Sequence, residues 1–401
     1  MRRLCPLLAL VLACGSGYDP PAPRGQGGGV SGAGAAGAAA GLTSSGGVAE
    51  PDGGSGGAGA GPASAGAGAG AGAAAAGCEL DALAELEVFS PSWDPLGYPP
   101  YAIDRCVVVY VDAGGASGAL QRVDLETGER VMLDAAEHRP RRPAIAGDVV
   151  AWERDGESGQ SAVRVHSPAG ERTFEASGEP RATLDAVVYT RFRGQAKSDD
   201  TDVFLYRIGT EEEQVVATGP GQQRFADVSG AHVAFTDFSE DARGYFDLGS
   251  IADVRVVDRQ SGEETTRALP GKQAFPLLGR DGVLVYLEWG AVHPEPKFSQ
   301  FFLKAGRISA PASADFNVKG EAPVMTEVAY VRPSLHGSRI DFVDRVGSVR
   351  LYSVDVGAAA APTPLVDLDE AKLFGSASSE RATLVSTPRA SSSLRLVAVA
   401  R

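Results

Sequence analysis

Residues 144–174 read AIAGDVVAWERDGESGQSAVRVHSPAGERTF. A small residue opens the stretch, Gly147 and Asp148 make a tight turn, and VVAW (149–152) runs apolar. A polar loop follows, AVRVHS (162–167) runs apolar again, PAGE (168–171) turns and RTF leaves. Short runs rich in Val and aromatic residues, bounded by Gly, Pro and Asp and without helical periodicity, predict strands joined by turns. The same order recurs in 226–238 with 252–269, and in 102–112 with 120–133. A small residue precedes each second strand, at Ala102, Ala144, Ala182, Ala226, Pro276, Pro323 and Ser376. Apolar runs after it end near Tyr110, Trp152, Tyr189, Phe235, Tyr286, Tyr330 and Leu384. That makes seven units of about 40 to 50 residues, a period that signals a repeat architecture.

Four short strands per unit at this period predict an all-β fold, a single β-propeller of seven four-stranded blades. Independent sandwiches would not keep one register seven times. The small residue is expected where innermost strands converge on the central channel and bulky side chains would collide. The final unit ends on LRLVAVAR (394–401), a third strand. ELEVF (85–89) alternates polar and apolar as a half-buried strand does, so it is expected to supply the missing strand, close the ring and remove exposed sheet edges.

IAGDVVAWE (145–153) and VRVVDRQSGEE (254–264) resemble the repeats of TolB-type periplasmic propellers and related bacterial cell-surface propellers, which also run small residue, Gly-Asp turn, apolar strand, loop, strand and Thr-Gly-Glu turn. The resemblance covers about residues 80 to 401. It weakens in the fifth to seventh units, where Gly-Asp becomes Thr326-Glu327. It implies a domain that binds proteins or small ligands more often than it catalyses, although fold alone does not fix function.

The chain ahead of the repeats reads differently. Arg2 and Arg3 precede an apolar run from Leu4 to Ala13, too short to span a bilayer, which predicts a signal peptide over 1–13. Val11, Leu12, Ala13 and Cys14 resemble the lipobox of bacterial lipoproteins. Cys14 is then the lipid anchor, and Gly15 in place of Asp resembles cargo sorted to the outer membrane. An ordinary secretory signal with an incidental cysteine is the alternative, and it too predicts export. Residues 14–77 are mostly Gly and Ala, cannot bury enough apolar surface to offset the entropy of ordering, and are expected to form a disordered tether with an end-to-end distance of roughly 40 to 45 Å. The propeller is assigned to 78–401. Cys78 and Cys106 remain as an even pair in an oxidising compartment, expected as a disulfide, with two buried thiols as the alternative.

The formal net charge is −14, and cleavage of Arg2 and Arg3 makes it more negative by two. With no basic block, nucleic acid and anionic membrane surfaces are excluded as partners, leaving membrane contact through lipid alone. No Gly-x-Ser-x-Gly elbow or phosphate-binding loop is present; GKQ (271–273) lacks the spacing. The five histidines show no pair spacing, and SDDTD (198–202) lacks the glycine and terminal Glu of a calcium loop. No catalytic residue, metal or cofactor is therefore assigned.

In a propeller, second-to-third and fourth-to-first connections share one face, here called the loop face. They include 191–202, 237–253, 288–300 and 332–348, and variable loops on a rigid scaffold are where binding concentrates. Tyr245, Phe246 and Trp289 are expected as interface anchors there, with Phe192, Phe298 and Phe342 beside them; the alternative is that they fold back as loop cores. Arg142, Arg181, Arg224 and Lys272 sit just before successive first strands. They are expected either to hold a carboxylate or phosphate, or to pair with loop acids such as Asp155, Asp199, Asp200 and Asp241. The leading expectation is a noncatalytic, monomeric outer-membrane lipoprotein, facing periplasm or cell surface, that binds a protein or envelope component through the loop face. The alternative is a glycan-processing or lactonase-like enzyme with paired carboxylates in the channel.

Overall fold

The computed structural model describes residues 78, 80, 86–89, 98–114, 118–194, 196, 199–246, 250–289, 300–325, 332–346, 348–356, 361–368, 376–390 and 393–400. They belong to the unit Ala71–Arg401. The expectations for the leader, Cys14, the Gly/Ala-rich segment, Phe298, Thr326, Glu327 and Tyr330 lie outside the described residues.

Blade 1 comprises Tyr101–Asp104, Val107–Asp112, Ala119–Asp124 and Arg130–Asp134 from the innermost strand outwards. Blade 2 comprises Arg141–Ala146, Val149–Asp155, Ser161–Ser167 and Gly170–Glu175. Blade 3 follows with Ser177–Ala182, Ala186–Phe192, Thr201–Arg207 and Glu212–Ala217, and blade 4 with Gln223–Ser229, His232–Asp237, Asp253–Asp258 and Glu264–Arg267. Blade 5 holds Lys272–Leu278, Val283–Trp289, Gln300–Arg307 and Phe316–Asn317. Blade 6 holds Ser334–His336, Arg339–Val346, Ser348–Asp355 and Thr363–Leu368. Blade 7 takes Ala377–Ser378, Ala382–Ala390 and Ser393–Ala400 from the C-terminus and Glu87–Phe89 from the other end of the domain. The fold is thus the expected seven-bladed, four-stranded propeller.

Both faces of each blade are buried between neighbours, which is why the second strands read as continuous apolar runs. Val187 and Tyr189 pack towards Val149, Ala151, Val163 and Val165 of blade 2, while Ala186 and Val188 pack towards Ala226, Val228, Val233 and Phe235 of blade 4. Successive strand residues point to opposite faces, so one AVVY segment serves two interfaces.

The closing strand behaves as its alternation foretells: Leu86 and Val88 are buried and Glu87 is exposed. Val88 pairs with Leu394 on one side and with Asp112 of blade 1 on the other, and Ala113 N–H donates to the Glu87 carbonyl at 3.0 Å. Three residues therefore join the last blade to the first in one continuous sheet. Cys78 is disulfide-bonded to Cys106 at the turn into the second strand of blade 1. The bond clips the segment leading to the closing strand onto the blade it must reach. A link 28 residues apart in sequence contributes about 3 to 4 kcal/mol in the chain-entropy model.

Blade 6 corrects the sequence reading. Residues 332–348, expected as a loop, hold its first two strands, turning at Gly337 with φ 64°. Val324–Met325, expected within the sixth unit after Pro323, pairs instead with the third strand of blade 5, Met325 facing Gln300. SLHGSRIDFVD looks loop-like because Arg339 and Asp341 interrupt its apolar run. The Asp341 carboxylate is buried, however, accepting the Ser378 and Thr383 hydroxyls of blade 7 at 2.6 Å each. A polar residue satisfied across a blade interface hides a strand from hydropathy.

Candidate functional site: the two mouths of the channel

The innermost strands of blades 2 to 5 carry a bulge at the same place, between Arg141 and Ala144, Gly178 and Arg181, Arg224 and Asp227, and Ala274 and Leu277. Its second residue, Arg142, Glu179, Phe225 or Phe275, is left-handed, with φ from 51° to 59°, a conformation uncommon outside glycine. Pro143, Pro180, Ala226 and Pro276 follow. Proline's missing N–H suits a position where the ladder is already interrupted. This sets the true register: Ala226 and Pro276 are equivalent, whereas Ala144 lies one place and Ala182 two places beyond it.

The bulges link blades. Glu179 N–H donates to Glu153 Oε2 at 3.1 Å, Phe225 N–H to Glu179 Oε2 at 3.2 Å, and Phe275 N–H to Thr236 Oγ1 at 3.0 Å. The bulge residues of blades 3, 4 and 5 thus hang on a side chain of the preceding blade. Burial alone would raise the Glu153 pKa, but Arg142 and Arg141, with the Glu179 N–H and the Ser161 hydroxyl, bring it down to about 2. Arg142 Nη1 lies 2.9 Å and Arg141 Nε 2.8 Å from the Glu153 carboxylate. Glu179, fully buried, is likewise held below the usual range against its own desolvation, by Arg224, Arg142 and the Phe225 N–H. Arg224 contacts it directly. Asp227 goes the other way: burial pushes its carboxyl up against the pull of Arg181, and it accepts Leu278 N–H at 2.7 Å.

At the centre stands Tyr98, from the segment ahead of blade 1. The guanidiniums of Arg142, Arg181 and Arg332 lie 5.0, 4.9 and 3.9 Å from its ring centroid, a cation–π cluster drawn from blades 2 and 3 and the entry to blade 6. Only a residue near the axis meets all three. Its hydroxyl is buried and has no hydrogen-bond partner among the described residues, and burial raises its pKa. Phe225 and Phe275 stack beside it with centroids 4.3 Å apart, and Phe246 and Trp289 continue the cluster. Bulky groups therefore fill the loop-face mouth, where the sequence reading expected small ones: converging strands open a hole that these rings plug.

The predicted site residues are partly gathered here, at different registers. Arg142 occupies a bulge, Arg181 lies two residues past one, Arg224 one before and Lys272 three before. The acids they meet are strand residues such as Glu153 and Glu179, while the loop acids Asp200 and Asp241 neighbour Arg193 and Arg243. Lys272 is buried over the Phe246 and Trp289 rings, at 5.2 and 5.8 Å. Phe246, Trp289 and Phe342 are buried, so these three are core residues, contrary to the expectation of loop-tip anchors. Tyr245 stays half-buried on the loop face. Tyr98, Glu153, Glu179 and Arg332 were missed; the signal available was the repeated charged-residue–Pro step in RRP (141–143) and GEP (178–180).

Cavities open at both mouths among the described residues. A recess of about 400 Å³ on the loop face lies between blades 2, 3 and 4, lined by Gln160, Ser161, Phe192, Asp199, Gln222 and Arg224 among others. The opposite mouth is an open funnel of about 1650 Å³ to which all seven blades contribute the ends of their innermost strands or the turns that follow. Among the described residues no group of three or more His, Cys, Asp or Glu side chains is placed to hold a metal, and no helix is long and apolar enough to cross a membrane.

No protein-family model matches the chain, and no curated protein matches it in sequence. Solved structures do match. The β-propeller domain of the Trilobed protease from Pyrococcus furiosus, described as having an open velcro topology, superposes with a TM-score of 0.55 at 12% identity, over 79% of this chain and 96% of that one. An acylaminoacyl peptidase from Pyrococcus horikoshii gives 0.51 at 11% identity, over 80% of this chain and 54% of its own length. TolB from Acinetobacter baumannii gives 0.41 at 13%, over 68% and 60%. This chain thus spans just over half of that peptidase. At such identities the likeness speaks to the fold alone.

Proposed function

We propose that the protein is an exported lipoprotein, anchored through Cys14, whose propeller is a noncatalytic module binding a protein or envelope component on its loop face. The observation that carries the noncatalytic reading is the state of the two glutamates at the loop-face mouth. Glu153 and Glu179 are buried, ion-paired and hydrogen-bonded behind the Tyr98 plug. A two-carboxylate enzyme needs an accessible acid with a raised pKa opposite a second carboxylate; this pair is saturated by arginines. The recess lined by Phe192 supports binding on this face, where Tyr245 is also half-buried. The Cys78–Cys106 disulfide supports an oxidising compartment.

Two experiments test this. Cys14→Ala is expected to move the protein from the membrane to the soluble fraction; unchanged fractionation without lipid on the mature N-terminus contradicts the anchor. For the face, Phe192→Ala with Tyr245→Ala is expected to weaken partner cross-linking in intact envelopes at least tenfold, while Glu171→Ala with Glu212→Ala on the outermost strands leaves it unchanged. Arg224 is unsuitable as a probe because its loss strands the buried Glu179. Equal loss from both pairs, or none from the first, contradicts the loop-face assignment.

A further inference from the structure

The funnel at the opposite mouth is built unlike the plug. Apolar side chains from blades 2, 3, 5 and 6 form a broken ring in its lining, including Ile145, Leu184, Ile308 and Leu335. Leu184 is 65% exposed, the most exposed of the large hydrophobic residues in the described structure. The carboxyl groups of Asp104, Asp185, Asp227, Asp258, Glu263 and Glu380 line the funnel as well, Asp104 accepting Gly147 N–H at 2.6 Å, with Arg105 and Arg280 as the cationic lining groups. Arg259 neutralises Asp185 from behind, at 2.9 Å, so the excess is modest. It nevertheless exceeds that of the whole chain, which has 51 acidic against 37 basic residues. Exposed apolar side chains interspersed with carboxylates suit recognition of a protein segment that carries both apolar and basic groups. The funnel also exceeds the roughly 300 to 1,000 Å³ of small-molecule sites, so its size suits a polypeptide segment.

We infer that the funnel is a second docking site, taking an extended peptide segment of a partner protein whose apolar side chains are flanked by Lys or Arg. The apolar side chains supply the affinity, and the carboxylates set the sign of the partner and the salt dependence of its capture. This site faces away from the loop face and does not rest on the loop-face reading.

The test uses the mature full-length protein and a fluorescein-labelled dodecapeptide of alternating Lys and Leu carrying one photo-leucine, followed by anisotropy. Binding is expected to weaken at least fivefold between 50 and 300 mM NaCl. It is expected to weaken at least tenfold in a Leu184→Ser, Glu263→Lys variant, whose two sites are exposed and whose melting curve should match the parent's. Cross-links are expected on the funnel wall near Leu184, Ile308 or Leu335. A Glu–Leu peptide binding equally well, cross-links confined to the loop face or the outermost strands, the same loss from Glu171→Lys with Glu212→Lys, or no binding at all would each overturn the inference. The cross-link map also decides the matter if the double variant fails to fold.

Discussion

The two mouths of one channel are built from the two ends of the same innermost strands, yet one is sealed and the other open. At the loop face, left-handed bulges turn backbone N–H groups towards the neighbouring blade, and Glu153, Glu179 and Thr236 accept them. Arginines then neutralise the two glutamates, and Tyr98 with Phe225 and Phe275 fills the axis. At the other end the strands finish in short turns. Cross-blade contacts hold these too, Gly147 N–H to Asp104 Oδ2 at 2.6 Å and Arg259 to Asp185 at 2.9 Å, but among the described residues the axis there is an open funnel. A ring of blades tied together at both ends is thus plugged at one mouth and open at the other.

If that difference is real, the sealed mouth should dominate stability. Glu179→Ala removes a fully buried anion and leaves Arg224 and the Phe225 N–H without their acceptor. A loss of about 3 to 5 kcal/mol is expected in denaturant unfolding, against less than about 1 kcal/mol for Asp367→Ala in the exposed pair with Arg350. Equal losses would erase the contrast.

Acid titration sharpens the same point. The Glu153 carboxyl is depressed to about 2 from 4.5, so its contribution is present above the unfolded value and is lost as pH falls from about 4.5 towards 2. Asp253, on the loop-face end of blade 4, is raised to about 6 by burial, then by Glu240 and Asp237 against Arg255. It therefore favours the folded state at low pH and loses that contribution as pH rises from 3.8 through 6. Melting temperature should rise slightly from pH 7 to 5 and fall below 4.5. Asp253→Asn should remove the rise and keep the fall.

Tyr98 offers a smaller effect of unusual sign. Its buried hydroxyl has no partner among the described residues, so Tyr98→Phe is expected to leave stability within about 1 kcal/mol of the parent or slightly above it, because no hydrogen bond is lost. A clear loss would mean the hydroxyl is used. Smallest of all, Leu184→Ser at the open mouth should change stability by no more than about 0.5 kcal/mol.

Much of the fold was legible because blades bury both faces, and VVAW or AVVY between Gly turns announces a strand whatever its neighbours do. The closing strand was legible from the alternation of Leu86, Glu87 and Val88. Blade 6 was not, because Asp341 finds its partners in blade 7, and no local pattern records a hydroxyl contributed some forty residues away. The plug was hidden for the same reason. Phe225 looks like any apolar strand residue until the bulge turns it to the axis, and Phe246 and Trp289 look like loop tips until the loop packs them inward. The basic residues were visible, but their acids lay in strands rather than loops, Glu153 in the blade of Arg142 and Glu179 in the blade before Arg224, and the bulge shifted the register that would have aligned them.

The loop-face mouth is plugged and its bulges are tied across blades, whereas the opposite mouth is open, and hydrogen exchange on the mature protein tests this residue by residue. The Glu179, Phe225 and Phe275 amides, each donated across a blade interface, should exchange only through global unfolding, with protection equal to that of strand amides such as Val188. Amides at the funnel turns, such as Gly230 and Gly337, should exchange orders of magnitude faster. Fast exchange at Phe225 and Phe275 in an otherwise protected domain would contradict the sealed mouth and reopen the channel as a site for chemistry.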